Sequence, residues 1–311
     1  METIEIDLRD YLETKRMAFP RLYFVSREDL LSLLARGRDP ATIEQHICVC
    51  FDAVRRLDFA EDRAADILGF VSAEEEHLVL NRVKIRVHAE ETLDALQSAM
   101  LQAIRRALKS AVEETMLASI SMDGPVSLAE WAAASDLPAQ AVLVGWNIAW
   151  AYAVEKSLGL FSEGKPALAK EQVRQWQGPG QFAPLLAIVR GGGAASSKRW
   201  SACALLIVMG HGRDVLQELL KLDAPASDSF EWDKQLRYSW EQEEGASFVP
   251  SSGGAGGGEA SGGGGVVVRQ QCSRFAYGLE YVGASSRLVL TPQTERCWLA
   301  ITQAFHRRLG V

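Results

Sequence analysis

The sequence predicts a mainly α protein: an elongated helical bundle with a small β-hairpin and strand region near its C-terminus, closed by one further helix. Three observations carry that prediction. Leu93, Leu96, Met100, Ile104, Leu108, Val112 and Met116 recur at steps of three or four, which lays one apolar seam along a helix. Residues 200–222 form a second amphipathic helix. Runs with strand character, such as Val266-Val267-Val268, are short.

The N-terminal segment reads as helical, with residues 19–25 as a short extended stretch. Ser26 then caps a helix whose first turn holds Glu28 and Asp29, where negative charge complements the helix dipole. Leu30, Leu31, Leu33 and Leu34 form its apolar face, and Gly37 with Pro40 ends it. Ile43, Ile47, Phe51, Val54 and Leu57 make the stripe of a second helix. Residues 66–87 read as strands, with alternation at Val83, Ile85 and Val87. The long seam spans residues 88–117 and stops at Asp123-Gly124-Pro125. Ser127 opens a short helix around Trp131, and Pro138 precedes another through Trp146, Trp150 and Leu158. Residues 159–197 are weakly specified, being interrupted by Gly178-Pro179-Gly180 and Gly191-Gly192-Gly193. Residues 251–265 hold nine glycines in 15 positions and are expected to be a mobile loop. Beyond it, residues 266–268, 275–281 and 287–290 read as strands, with Gly283-Ala284-Ser285-Ser286 turning between the last two. A helix over 294–309, capped by Gly310, closes the chain.

Composition bounds the function. The 311 residues are 48% apolar and 23% charged, an ordinary soluble balance and enough chain for about two domains. A net charge of −7 gains little from counterion release, so no nucleic-acid partner is expected. No apolar run approaches the roughly 20 residues that cross a bilayer. The acidic start METIEIDLRDY lacks the plan of a signal peptide, so no membrane role is expected. Five scattered cysteines (Cys48, Cys50, Cys203, Cys272, Cys297) argue for a reduced, intracellular protein.

Motif by motif, little chemistry emerges. Residues 159–165 fit G-x-x-x-x-G-K, but Pro166 stands where a hydroxyl should hold magnesium, and Glu163 would oppose a phosphate. The match is a decoy. His46, Cys48 and Cys50 are two apart on a helix, point different ways, and read as core residues; no metal site is expected. His211 and Asp214 can pair across one helical turn, as a surface ion pair or a domain contact. Trp131, Trp146, Trp150, Trp232 and Trp240 sit at helix seams and read as packing residues. No catalytic set can be assembled from spacing, and the residues by themselves support a helical interaction or structural module.

Four blocks add a resemblance. They are residues 11–26 (YLETKRMAFPRLYFVS) with Asp29-Leu30-Leu31; Trp131 with Leu137-Pro138-Ala139-Gln140 and Trp150; residues 228–240 (DSFEWDKQLRYSW); and residues 275–297. The last contains Tyr277-Gly278, Glu280-Tyr281, Gly283, Arg287-Leu288-Val289, Thr291-Pro292, Thr294, Arg296 and Cys297. In this order they resemble the C-terminal part of the linker of axonemal-type dynein heavy chains and the start of the first AAA+ module. The resemblance implies linker over residues 1–250, with a divergent insertion near 162–197. The glycine-rich loop at 251–265 follows, and then a hairpin and helix over 266–311 leading into the module.

The resemblance also implies a role: the mechanical lever of an ATP-driven, minus-end-directed microtubule motor in ciliary movement. Partners would be the rest of the AAA+ ring and the dynein intermediate and light chains, with the microtubule reached only indirectly. Its place would be the cytoplasm and cytoskeleton, in the axoneme of a cilium or flagellum. ATP and Mg2+ are the cofactors of the complete family protein. Leu288, Val289, Leu290, Thr291 and Pro292 would be the wall against which adenine packs. No G-x-x-x-x-G-K-[ST] follows them before Val311, so this chain alone is expected neither to hold nucleotide tightly nor to hydrolyse ATP. The alternative is a non-catalytic helical interaction module derived from such a linker.

Overall fold

The computed structural model describes residues 2–61, 66–121, 125–222, 226–241, 264–284 and 287–310. It is mainly α, as the sequence predicts, with two three-stranded antiparallel sheets. Among the described residues the chain divides into two units. One comprises residues up to 106 together with Leu279–Gly283, and the other comprises 107–241, 264–278 and 284–310.

In the first unit, α1 (Glu2–Ala18) leads into a 3-10 turn over Pro20–Phe24, not the expected extended stretch. Pro20 sits in its first turn, where its fixed φ suits the helix and its missing N–H costs nothing. The turn closes by Leu22 N–H on the Phe19 carbonyl (3.0 Å) and Val25 N–H on that of Leu22 (3.2 Å). Ser26 caps α2 (Arg27–Ala35) as predicted, its hydroxyl oxygen accepting from the Asp29 N–H. The next helix, α3 (Pro40–Cys50), is shorter than its apolar stripe: Phe51 turns to extended backbone, and Leu57 lies in a strand. That strand, β1 (Arg56–Phe59), pairs with β2 (Asp66–Val71), which pairs with β3 (His77–Lys84). Gly69 has a steric reason, since a Cβ there would stand 2.9 Å from the Leu78 carbonyl oxygen. The predicted long helix is α4 (Ala89–Ser121), assigned to this unit as far as residue 106.

Phe51 is the aromatic centre of this unit. Its ring lies 6.4 Å from that of Phe19 and 5.6 Å from that of Phe70, with the Arg21 guanidinium 4.9 Å from its centroid. Arg21 also donates from both terminal nitrogens to the Glu280 carboxylate (2.6 and 2.8 Å), from Nε to Gln97 (3.0 Å), and to the Cys50 carbonyl (2.9 Å). Beside Glu280, the buried Tyr281 hydroxyl donates to Glu76 Oε2 at 2.6 Å.

The second unit begins in the rest of α4. It continues with α5 (Pro125–Ala134), which starts two residues before the expected Ser127, and α6 (Ala139–Ser162). Residues 159–197 are more regular than their glycines suggest. Gly159 lies inside α6, and α7 (Pro166–Gln175), a 3-10 turn at Pro179–Phe182 and α8 (Ala183–Arg190) follow. Each of these three starts with a proline in its first turn, so the prolines mark starts and not interruptions. Then come α9 (Ser196–Leu220), the single turn α10 (Phe230–Asp233), β4 (Arg237–Glu241), β5 (Gly265–Gln270), β6 (Ser273–Ala276) and α11 (Pro292–His306).

The strand order is β4-β5-β6, so the hairpin is β5–β6, with Val268 opposite Tyr238 on one side and Phe275 on the other. This corrects three expectations. The strand expected over 275–281 ends at Ala276, residues 287–290 form no strand, and Gly283 and Ala284 do not join two strands. Backbone pairing in that stretch ends with the Tyr277 N–H on the Val266 carbonyl (2.9 Å), and beyond it the Glu280 and Tyr281 side chains are engaged by Arg21 and Glu76. Ser285 and Ser286 lie outside the described residues, as does the glycine run except Gly264 and Gly265. Gly264 is sterically required: a Cβ would overlap the Trp240 indole and stand 2.7 Å from the Glu241 carbonyl oxygen.

Trp131, Trp146, Trp150 and Trp232 pack as predicted, whereas Trp240 lies on β4 beside Gly264 and not at a helix seam. Trp146 stacks on Trp150 (centroids 6.0 Å apart), Trp150 meets Trp232 at 5.3 Å, and Trp176 presents its edge to Trp146 at 6.4 Å.

Candidate nucleotide-facing site

The five residues singled out by the sequence form one continuous run ahead of α11. Thr291 is the N-cap, its hydroxyl accepting from the Thr294 N–H at 3.3 Å, and Pro292 opens the first turn. Leu290 lines a pocket of about 60 Å³, together with Trp146, His211, Gln235, Gln270 and Trp298. Leu288 and Val289 stand in solvent, 82% and 70% exposed. The run therefore offers bare apolar surface next to a fixed helix start.

Two sets of polar contacts fix α11. At its first turn, the Glu295 carboxylate reaches His211 Nε2 at 3.6 Å and the Lys234 ammonium at 3.7 Å. Further along, Thr302 donates to Gln270 Oε1 (2.6 Å) and Gln303 to the Ser273 hydroxyl (3.1 Å), which ties the helix to β5 and β6. Gln270 in turn donates to the Lys234 carbonyl at 2.7 Å. His211 is not paired with Asp214, as expected from spacing, because Asp214 is engaged by Arg213 on the surface. The partner of His211 is Gln235, 3.2 Å away. Gln235 Nε2 donates to the Glu231 carbonyl, so its Oε1 accepts and His211 Nε2 carries the proton. No spacing rule could have linked His211 to Gln235 and Glu295, because the contacts join three separate elements.

Burial pushes the His211 pKa below its ordinary value, opposed in part by Glu295, Gln235 and Asp214 and reinforced by Lys234. The unfolded chain, with an ordinary imidazole near about 6.5, then binds more protons in acid than the folded one. His211 thus contributes stability that is fully present above that pH and is lost as pH falls through its lower folded-state value. Urea titrations at pH 7.5 and 5.5 should show wild type losing more stability on acidification than His211→Gln; equal losses would contradict this.

Chemically the site can present an apolar wall and little else. The N-terminus of α11 is not a phosphate cradle: Pro292 has no N–H, the Thr294 N–H is capped, and Glu295 places a carboxylate in the first turn. The decoy at 159–165 is the end of α6 and a turn, with the Lys165 ammonium paired to Glu163 at 2.9 Å on the surface. His46 and Cys50 are buried and Cys48 is exposed, which corrects the reading of Cys48 as a core residue. Among the described residues no cluster of three His, Cys, Asp or Glu could hold a metal, and no helix is long and apolar enough to cross a membrane.

Comparison with known proteins bears on both ends of the chain. Residues 1–111 match the family model described as dynein heavy chain, N-terminal region 2, and residues 277–311 match the one described as the hydrolytic ATP binding site of the dynein motor region. Dynein axonemal heavy chain 1 of Mus musculus is 29% identical over 313 residues, covering 100% of this chain and 6% of that protein. The chain belongs to the dynein heavy chain family. The dynein-1-beta heavy chain of the flagellar inner arm I1 complex of Chlamydomonas reinhardtii is 29% identical over 315 residues, with 100% and 6% covered. Dynein axonemal heavy chain 6 of Homo sapiens is 30% identical over 329 residues, with 100% and 7% covered. This dynein chain thus spans about 6–7% of the length of these relatives and aligns with a part N-terminal in the heavy chain. The axonemal resemblance of the four sequence blocks is borne out.

Proposed function

We propose that this chain works as linker and motor doorstep in an axonemal-type dynein heavy chain, with Leu288, Val289, Leu290, Thr291 and Pro292 presenting the adenine-side wall of the first AAA+ module. The observation that carries the reading is the match of 277–311 to a hydrolytic ATP-site family, at the place where Leu288 and Val289 stand bare before a capped helix. Two exposed apolar side chains suit the face of a purine. Phosphate and Mg2+ would have to be held by groups beyond this run, since the α11 N-terminus is already capped and acidic. On this reading the partners are the remaining AAA+ ring and the intermediate and light chains, the microtubule is engaged only indirectly, and the setting is the ciliary or flagellar cytoskeleton. The tightly packed seams of the helical units suit a lever, because close-packed interiors resist deformation.

The test is a chimera in which this chain replaces the aligned 313-residue segment of the mouse axonemal heavy chain 1 motor. It should retain ATP-dependent microtubule gliding. Val289→Asp should raise the KM for ATP by about tenfold or more, from the loss of roughly 1.5–3 kcal/mol of apolar contact. A gliding chimera whose KM is indifferent to both Leu288→Asp and Val289→Asp would reject the wall. A chimera that assembles but never glides would favour the non-catalytic module.

A further inference from the structure

Helix α11 is held differently from the long helices of its unit. Helices α6 and α9 bury large side chains such as Trp146, Leu205 and Leu216, whereas no residue of α11 is buried. Trp298 is half-buried, and Ile301 and Phe305 are exposed. With so little apolar burial, the attachment of α11 rests on polar ties. Among the described residues Glu295 carries every ion pair of this helix, to His211 Nε2 at 3.6 Å and to the Lys234 ammonium at 3.7 Å. The anchors themselves are firm. Gln235 Oε1 lies 3.2 Å from His211 Nε2, the Lys234 carbonyl accepts from Gln270 (2.7 Å), and the Asp233 carbonyl accepts from the Gln271 N–H (2.8 Å). All of these groups lie in the second unit.

Glu295 also closes the first turn of α11, its N–H donating to the Thr291 carbonyl at 3.0 Å, and it lines the same pocket as Leu290. A tie at Glu295 therefore reaches Leu290, Thr291 and Pro292 through a single helical turn. Polar ties between partly exposed groups each contribute little, so a helix held by them opens at a lower free energy than one buried in a core. We propose that Glu295 is a positioning residue. By reaching His211 and Lys234 it latches the first turn of α11, and with it Leu290–Pro292, to the body of the second unit. The latch is releasable: α11 and these three residues undock together while α6 and α9 stay folded. As a control on the adenine-side wall the latch rests on the reading of residues 288–292 given above, but its opening and closing need no nucleotide.

The experiment is hydrogen–deuterium exchange with mass spectrometry on the 311-residue chain without nucleotide. In wild type, peptides from α11 should exchange about a hundredfold faster than those from α6 and α9. Glu295→Gln should speed exchange across 290–300 by about a further fivefold and leave α6 and α9 unchanged. Glu295→Asp, which keeps the charge, should restore a measurable part of the protection. In a background of His211→Gln with Lys234→Met, Glu295→Gln should add no further speeding, because the groups it acts through are gone. Three results overturn the proposal: α11 exchanging only together with α6 and α9, an unchanged rate in Glu295→Gln, or the full speeding persisting in the double-variant background. Should that background fail to fold, Glu295→Asp decides, and an Asp variant as fast as Gln overturns it. Because nucleotide plays no part, failure here leaves the KM test of the wall standing, and failure of that test leaves the latch standing.

Discussion

Trp232→Ala is expected to destabilise the second unit by about 3–5 kcal/mol, the usual cost of emptying a fully buried aromatic site. Trp232 is 0% exposed, sits in the single turn α10, and meets the Trp150 ring, which stacks on Trp146. Its removal leaves a void beside two other large rings that cannot collapse into it without losing their own contacts. For a unit of this size such a loss lowers Tm by roughly 10 °C. A second substitution separates packing from hydrogen bonding. The Trp232 indole nitrogen is buried with no hydrogen-bond partner among the described residues, so Trp232→Phe keeps most of the ring and removes an unsatisfied donor. Trp232→Phe should therefore cost about 1 kcal/mol or less. Differential scanning calorimetry on both variants decides the matter; a Phe variant as unstable as the Ala variant would contradict the packing account.

Phe51→Ala should have a comparable effect on the first unit, about 3–5 kcal/mol by urea denaturation. Phe51 is wedged between Phe19 and Phe70, and it also forms the floor under Arg21. Loss of the ring removes a cation–π contact worth about 0.5–2 kcal/mol and frees a guanidinium whose other bonds depend on its orientation. Phe51→Leu should recover more than half of the loss, because it refills volume but not the π face. If Phe51→Leu proved as damaging as Phe51→Ala, the aromatic face and not the volume would be the dominant contribution.

The legible parts of this molecule were those with local causes. Ser26, the seam from Leu93 to Val112 and Pro138 before α6 match the reading, since caps and periodicity are written within a few residues of where they act, whereas the strand expected to run to Val87 ends at Lys84. The misreadings have a common origin in tertiary competition. Phe51, Val54 and Leu57 keep helical spacing, yet Leu57 is recruited to the sheet opposite Phe70. Residues 287–290 have strand composition, but among the described residues they pair with no strand, and Leu288 and Val289 stand exposed instead. The candidate wall was found by family resemblance and not by chemistry. Its support from Glu295, His211 and Lys234 was invisible because it joins α9, α10 and α11 through single long-range contacts.

The start of β5 has a practical corollary. Glu241 and Gly265 face each other in register, and Gly264 passes beside Trp240 with no room for a side chain. A side chain at 264 would have to push aside the Trp240 indole or the Glu241 carbonyl, so Gly264→Ala is expected to loosen the β4–β5 pairing at its first rung.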